Sequence, residues 1–223
     1  MKPMRRGCCG LSDGGWIGRI ALLAMGLMVV ALVGCAAGPS SPRPGGAVRE
    51  EADRLARQGA RLQGEGEWDA AAAAWDRAAR QYQLLNDLRQ VAVARHNEGV
   101  SRRQAGDPGT ARESLRAAAS LNEALGERTV WWRNRVALLQ AENDLGGPGA
   151  EGEYGGLEPR ISEVWEPDVL ACWEHEGARI AERQGRVTEA LAALERARAH
   201  WVVSGNPSGL GAVFVLRAQI LGG

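Results

Sequence analysis

Lysine is almost missing from this sequence, and neither sign of charge predominates. Lys2 is the only lysine, so arginine provides the remaining positive charge, and the totals are 27 basic and 27 acidic residues. Residues 1–34 hold four basic residues against Asp13, a net charge of +3, which leaves −3 for the rest of the chain. Binding to nucleic acid requires an excess of basic residues that face the phosphates. The charge balance therefore argues against a nucleic-acid partner.

The apolar run near the N-terminus is too short to cross a bilayer comfortably. It extends from Ile20 to Val33, whereas a spanning helix needs about 20 apolar residues. Arg19 lies directly before it, and a basic region followed by a short apolar segment is typical of a secretion signal. Residues 1–34 are therefore predicted to be a signal peptide and are excluded from the fold.

The end of this run, Leu32-Val33-Gly34-Cys35, resembles the lipobox of bacterial lipoproteins. The resemblance implies that cleavage makes Cys35 the new N-terminus and that a covalent lipid, with palmitate among its acyl chains, anchors it in the membrane. Ala36 follows in place of an aspartate, which by the same resemblance implies the outer membrane, with the protein facing the periplasm. An uncleaved signal anchor is the alternative. Residues 35–47 then form the lipidated N-terminus and a flexible tether rich in glycine, proline and serine.

Cysteine is too scarce for a framework of disulfides. Of the four cysteines, Cys8 and Cys9 fall in the predicted signal and Cys35 is the predicted lipid attachment site, which leaves Cys172 as the one expected thiol. Small secreted folds that depend on disulfides use several pairs. Packing is therefore expected to stabilise the domain, and no cofactor other than the lipid is predicted.

Residues 48–223 are predicted to be all-α, because apolar residues recur at helical spacing. Three segments repeat one order of residues: a turn glycine, then an alanine, then a bulky apolar residue and then a second alanine, at the same spacing each time. The three sets are Gly66, Ala71, Trp75, Ala78; Gly106, Ala111, Leu115, Ala118; and Gly185, Ala190, Leu194, Ala197. Gly59 and Gly99 precede the first two turns at one common distance, and Gly177 and Ala178 straddle that position before the third.

This pattern resembles the tetratricopeptide repeat, whose units are antiparallel helix pairs. With a further turn at Gly146, the turn glycines are almost evenly spaced, at an interval longer than the usual unit of about 34 residues. The resemblance implies a solenoid of three to four units near 52–88, 92–126, 128–165 and 168–204, with a capping helix over 208–221. The third unit is degenerate, and its second helix is expected to be short or replaced by a loop over 146–160, because glycine opposes helix formation.

In this family the first helix of each unit lines a concave surface that binds peptides. The resemblance places a polar set of residues there, rich in arginine and amides: Arg57, Gln63, His96, Asn97, Arg103, Gln104, Arg133, Gln140, Asn143, Asp144, His175, Glu176, Arg179, Glu182 and Arg183. Arginine binds carboxylates with two hydrogen bonds, and amides pair with peptide backbone. The expected function is a non-enzymatic adaptor or scaffold for a protein or peptide, in an envelope assembly or secretion machine. A solvated face without a ligand is the plainer alternative.

Two further functions stay open. Seven tryptophans lie beyond the signal. For the adjacent pair Trp131-Trp132, burial against the second unit is expected, and exposure of one ring is the alternative, since neighbouring residues of a helix point about 100° apart; exposed rings would suit a glycan-binding or cell-wall protein. Cys172 and His175 lie on one helix face, at a spacing compatible with a thiol–imidazole enzyme or two metal ligands. A metal site needs three or four ligands and His96 and His200 are poorly placed, so neither a metal nor a catalytic site is expected.

Overall fold

The computed structural model describes residues 45–222, where nine α-helices and one short 3-10 helix occur and no strand is found. The predicted signal peptide, the lipobox with Cys35 and most of the predicted tether lie outside the described residues. Within them, the helices pack in consecutive pairs, each against the helix before it and the helix after it. The prediction of an all-α domain is confirmed.

The helices follow the chain in the order α1 to α9. Their bounds are α1 Gly46–Glu65, α2 Trp68–Leu84, α3 Leu88–Ala105, α4 Pro108–Ala124, α5 Arg128–Leu145, α6 Gly149–Leu157, α7 Pro167–Arg183, α8 Val187–Ser204 and α9 Pro207–Gly222, with the 3-10 helix Glu158–Glu163 after α6. Asp87 and Asp107 cap α3 and α4 by accepting the backbone N–H of Gln90 and Thr110. Such caps replace the hydrogen bonds that a helix N-terminus lacks.

Residues in the left-handed backbone conformation follow the helices at a regular interval. Positive φ angles occur at the evenly spaced positions 66, 86, 106, 126 and 146, and again at 185 and 205. All of these except Asn86 are glycines, which reach this conformation without steric cost. Each pair of helices therefore repeats with the spacing that the turn glycines predict.

The repeated residues form the contacts between paired helices. The six alanines of the repeat are fully buried. Leu115 and Leu194 are at most 1 % exposed, and Trp75 is 6 % exposed. A Cβ added to Gly59 would lie 2.7 Å from Trp75 Cε2, and one added to Gly99 would lie 2.5 Å from Leu115 Cγ. Each of these two glycines, on α1 and α3, thus makes room for the bulky residue of the next helix.

The hydrophobic core is divided along the chain. One cluster joins α1, α2 and α3 around Leu55 and Trp75, and a second joins α4 and α5 around Leu115 and Leu138. The third and largest extends from Ala119 of α4 to α9 and contains Trp132 and Trp201. A core built from neighbouring elements is typical of repeat proteins.

The degenerate third unit keeps a short helix. The sequence predicted either a short second helix or a loop in this unit. The structure has a short helix, since α6 covers only Gly149–Leu157. Tyr154 of α6 stacks on Trp173 with ring centroids 4.5 Å apart, and it lies against Gly177 of α7. Because α6 is short, α5 and α7 contact each other directly.

Helix α9 occupies the place of the predicted cap. It packs on α7 and α8, with Val213 and Leu216 buried and Gly209 against the Trp201 ring. Among residues 45–222, no helix combines the length and apolar character needed to span a membrane.

Candidate functional site

The residues predicted to bind a partner lie on one face of the odd-numbered helices. The residue before each helix is Asp87 for α3, Glu127 for α5 and Glu166 for α7. When positions are counted from these residues, the predicted residues of the three helices are separated by three, four or seven positions. This is the spacing of residues on one helix face. We call this surface the odd-helix face. It comprises Arg57 and Gln63 of α1; His96, Asn97, Arg103 and Gln104 of α3; Arg133, Gln140, Asn143 and Asp144 of α5; and His175, Glu176, Arg179, Glu182 and Arg183 of α7.

A chain of charged contacts crosses three of these helices. The Arg103 guanidinium of α3 donates to Asp144 of α5 across 3.2 Å, and Arg179 of α7 donates to the same carboxylate across 2.8 Å. Arg179 also donates to Glu176 across 2.8 Å. One carboxylate thus holds two arginines from two different helices, which fixes the position of both cations.

Part of the predicted set is buried. Gln140, Asn143 and Glu176 are between 2 and 3 % exposed, and His175 is 7 % exposed. The Asn143 amide donates to a Glu176 side-chain oxygen across 2.7 Å and to the Glu176 carbonyl across 3.1 Å. These residues form a polar layer between α5 and α7, so they support the odd-helix face and do not offer their own side chains to a partner.

The buried Glu176 is held in its charged form. Burial raises the pKa of its carboxyl, but the charge of Arg179 and the hydrogen bonds from His175 and Asn143 outweigh this effect and lower the pKa to about 2. Burial likewise lowers the pKa of Arg179, and the charges of Glu176 and Asp144 reverse that effect and raise the pKa above its ordinary value. The pair is therefore ionised throughout the physiological range.

A second buried contact joins α3 to α5. Asn134 is fully buried, and its side-chain amide lies near His96. Burial and the charge of Arg133 lower the pKa of His96 to about 4, although the neighbouring Asn134 amide opposes them. His96 is therefore neutral near pH 7 and does not add positive charge to the odd-helix face.

Helix α1 joins this face through an amide. The Gln63 side chain donates to the Ser101 hydroxyl across 2.9 Å and to the Asn97 carbonyl across 3.3 Å. Ser101 and Asn134 are residues that sequence reasoning missed. Both are small polar residues close in sequence to a predicted one. Their position between two helices is seen only in the structure.

The exposed part of the face is basic. Arg57 and Arg133 are exposed, and neither forms an ion pair with another residue of the described range. Glu182 is also exposed, Gln104 and Asn97 are half-buried, and Arg183 lies 3.7 Å from Glu151 of α6. Exposed guanidinium groups are suited to binding carboxylates, and the buried polar layer between α5 and α7 supports the helices that carry them.

Both rings of Trp131-Trp132 are buried, so the expectation of burial holds and neither ring is an exposed anchor. Trp131 is 5 % and Trp132 1 % exposed, with their rings edge-on and centroids 5.0 Å apart. Arg135 and Arg160 lie over the Trp131 ring at 5.2 and 4.7 Å. Helix α5 is covered on two sides, by its helix partners and by these arginines, so both rings are enclosed. Trp165 is the exposed tryptophan of the described range, at 84 %.

Cys172 and His175 of α7 are both buried in the domain. Cys172 is fully buried within the third core cluster, and His175 Nδ1 is 3.4 Å from Glu176 Oε1. Cys172 is disulfide-bonded, so the expectation of a free thiol is not confirmed. Both side chains are buried, with His175 at 7 % exposure, so neither lies on the surface of the domain.

The described residues contain no group of three or more histidine, cysteine or acidic side chains arranged to hold a metal ion. What the odd-helix face provides is a set of charged and amide side chains. No protein family matches this chain, and no curated protein or solved structure resembles it at a significant level.

Proposed function

We propose that this protein is a lipid-anchored adaptor of the bacterial cell envelope that docks a protein or peptide partner on its odd-helix face. The lipobox resemblance at Cys35 supports the anchor, and the residue after it supports the outer membrane and the periplasm as the location. The evenly repeated helix pairs, with a small residue facing a bulky one, support an extended tetratricopeptide-like solenoid.

The observation that favours docking is the placement of two exposed arginines, Arg57 and Arg133, on the odd-helix face. Arg103 and Arg179 lie deeper and are held by Asp144, so they join the helices that carry this face. An exposed arginine binds a carboxylate with two hydrogen bonds. The expected ligand is an extended segment with acidic side chains, whose backbone pairs with the amides of Asn97 and Gln104.

Photocrosslinking in living cells tests this proposal. A photoreactive amino acid replaces Arg133 on the odd-helix face, and in a matched control it replaces Arg77, which is exposed on α2. A partner that attaches at position 133 and not at position 77 would support docking on this face. Equal attachment at both positions, or attachment at position 77 alone, would place the partner elsewhere and overturn the proposal.

A second candidate function depends on Trp165. Its ring is 84 % exposed, and an exposed indole can stack on a sugar ring. If the protein binds the cell wall, Trp165→Ala should reduce its sedimentation with purified wall material. Leu84→Ala, which removes another exposed apolar side chain at 73 % exposure, should not. The same sedimentation for all three proteins would exclude wall binding through Trp165.

A further inference from the structure

Helix α9 has two apolar faces on opposite sides. Gly209, Val213 and Leu216 are buried against the rest of the domain. Gly211, Phe214, Ala218 and Leu221 are exposed, with Phe214 at 60 % and Leu221 at 63 %. Successive residues turn by about 100° around a helix, so the two sets lie about half a turn apart. A helix that is apolar on all sides is normally covered on all sides.

The exposed face has the spacing of a helix-pairing seam. Gly211, Phe214, Ala218 and Leu221 follow one another at alternating steps of three and four, the pattern that brings two helices together side by side. Val215, Ala218, Gln219 and Gly222 line an open depression beside it. No other helix of residues 45–222 covers this seam, since α9 contacts only α7 and α8 to a marked extent.

Ala218 also occupies a position that receives a bulky residue elsewhere in the chain. The Asn206 side chain accepts the Gly209 N–H at the start of α9, and Asp87 caps α3 in the same way. Ala218 follows Asn206 at the same distance along the chain as Gly99 follows Asp87. In α3 this small position is filled by Leu115 of the next helix. In α9 the corresponding position is open.

We propose that α9 pairs antiparallel with α9 of a second copy of this chain, related by a two-fold axis. With the axis level with position 216, Phe214 of each copy packs on Ala218 of the other, and Leu221 of each copy packs on Gly211 of the other. Every large residue of the seam then faces a small one. The seam is therefore complementary to itself, which a symmetric dimer requires and an unrelated partner does not.

The charge distribution agrees with this pairing. Arg217 is the only charged residue of α9, and it lies at the flank of the seam. Its guanidinium donates to Glu195 of α8 across 2.7 Å, so it is directed toward its own domain. Two copies can thus approach without bringing like charges into the seam.

Two tagged forms of the full-length chain, expressed together, test the pairing. Each form carries a different tag after Gly223, joined by a flexible linker, and the quantity measured is the amount of one form that co-purifies with the other from detergent extracts. The variants are Phe214→Ala, Ala218→Phe and the double variant with both changes, which exchanges the large and small residues. Leu84→Ala is the matched control for loss of an exposed apolar side chain, and circular dichroism verifies that each variant is helical.

We expect Phe214→Ala and Ala218→Phe each to reduce co-purification about tenfold or more, as truncation or crowding of a central anchor does. The double variant should restore it, and Leu84→Ala should leave it unchanged. Failure of the native forms to co-purify, or an equal yield from Phe214→Ala, would overturn the dimer. Loss in the single variants without recovery in the double variant would overturn the pairing of position 214 with position 218.

Discussion

The Arg179 guanidinium of α7 donates to the Asp144 carboxylate of α5 across 2.8 Å, in the gap that the short helix α6 leaves between the two. The Arg103 guanidinium of α3 donates to the same carboxylate from the other side, across 3.2 Å. Asp144 therefore joins α5 to both neighbouring odd-numbered helices. The same contact positions Arg179 on the odd-helix face.

Asp144→Asn should destabilise the domain, because the Arg103 and Arg179 guanidinium groups lose the carboxylate that they share. Asp144 and Arg103 side chains are each only 10 % exposed, and loss of one partner of a buried ion pair costs about 3 kcal/mol. Urea denaturation followed by circular dichroism measures the change. Glu51→Gln removes the exposed pair with Arg54 and should leave the free energy of unfolding nearly unchanged. Equal effects of the two variants would show that Asp144 has no structural role.

The free energy of unfolding should fall as the pH drops from about 4.5 to 2, in part because of Glu176. Its pKa is lowered to about 2 in the folded protein, whereas the unfolded chain takes up a proton near pH 4.3. A group with a lowered folded-state pKa stabilises the protein above its unfolded pKa, and this contribution is lost as the pH falls toward the folded value. Urea denaturation at several pH values should show a smaller decline for Glu176→Gln in this window.

His96 supplies an internal reference for that experiment. Its pKa is lowered to about 4, so its contribution to stability is lost between about pH 6.5, the value of the unfolded chain, and pH 4. Glu176→Gln keeps His96 and should follow the native protein through this upper window. A difference confined to the upper window, with parallel curves below pH 4.5, would contradict the assignment to Glu176.

Gly99→Ala should destabilise the protein although alanine favours helix. An added Cβ would lie 2.5 Å from Leu115 Cγ and 3.1 Å from the Ala111 carbonyl oxygen, and such overpacking costs about 1–3 kcal/mol. Gly64→Ala is the matched control, because Gly64 also lies in a helix and nothing is within 4 Å of its added Cβ. That variant should gain up to about 1 kcal/mol. A gain in both variants, measured by thermal denaturation, would argue against close packing of α3 on α4.

Much of the fold follows from local signals in the sequence. The turns at Gly66, Gly106 and Gly185 were predicted correctly, because glycine is the residue that best adopts the left-handed conformation that ends a helix. The alanines and bulky residues between them were identified as packing residues because their spacing is helical, and all of them are buried. Both signals lie within one turn and one helix, so no knowledge of distant contacts is needed.

The burial of the site could not be predicted in the same way. Gln140, Asn143 and Glu176 are polar residues on one helix face, a pattern that normally indicates exposure to solvent. They are buried because α5 meets α7. The glycine-rich segment predicts that α6 is short, but its sequence does not say that α5 and α7 close on each other beside it. The enclosure of Trp131 by Arg135 and Arg160 depends in the same way on where the segment after α6 passes.

Cys35→Ser tests the proposed anchor. If Cys35 is the lipid attachment site, the variant should accumulate as a longer, unprocessed precursor, because the peptidase that removes the signal acts on the lipidated cysteine. Immunoblotting and labelling with a palmitate analogue measure chain length and lipid content. Cys9→Ser is the control and should mature normally. Normal processing and labelling of Cys35→Ser would contradict the lipoprotein assignment.

The central claim is that exposed arginines of the odd-helix face bind the partner, and a comparison of two double variants tests it most directly. Arg57→Ala with Arg133→Ala removes two exposed cations from this face, and Arg77→Ala with Arg80→Ala removes two exposed cations from α2. The measurement is in-cell crosslinking of each form, followed by quantitative mass spectrometry of the attached proteins. We expect a partner that is captured by the native protein and by the α2 variant and is lost from the Arg57/Arg133 variant. Capture of the same partners in equal amounts by all three forms would contradict the claim.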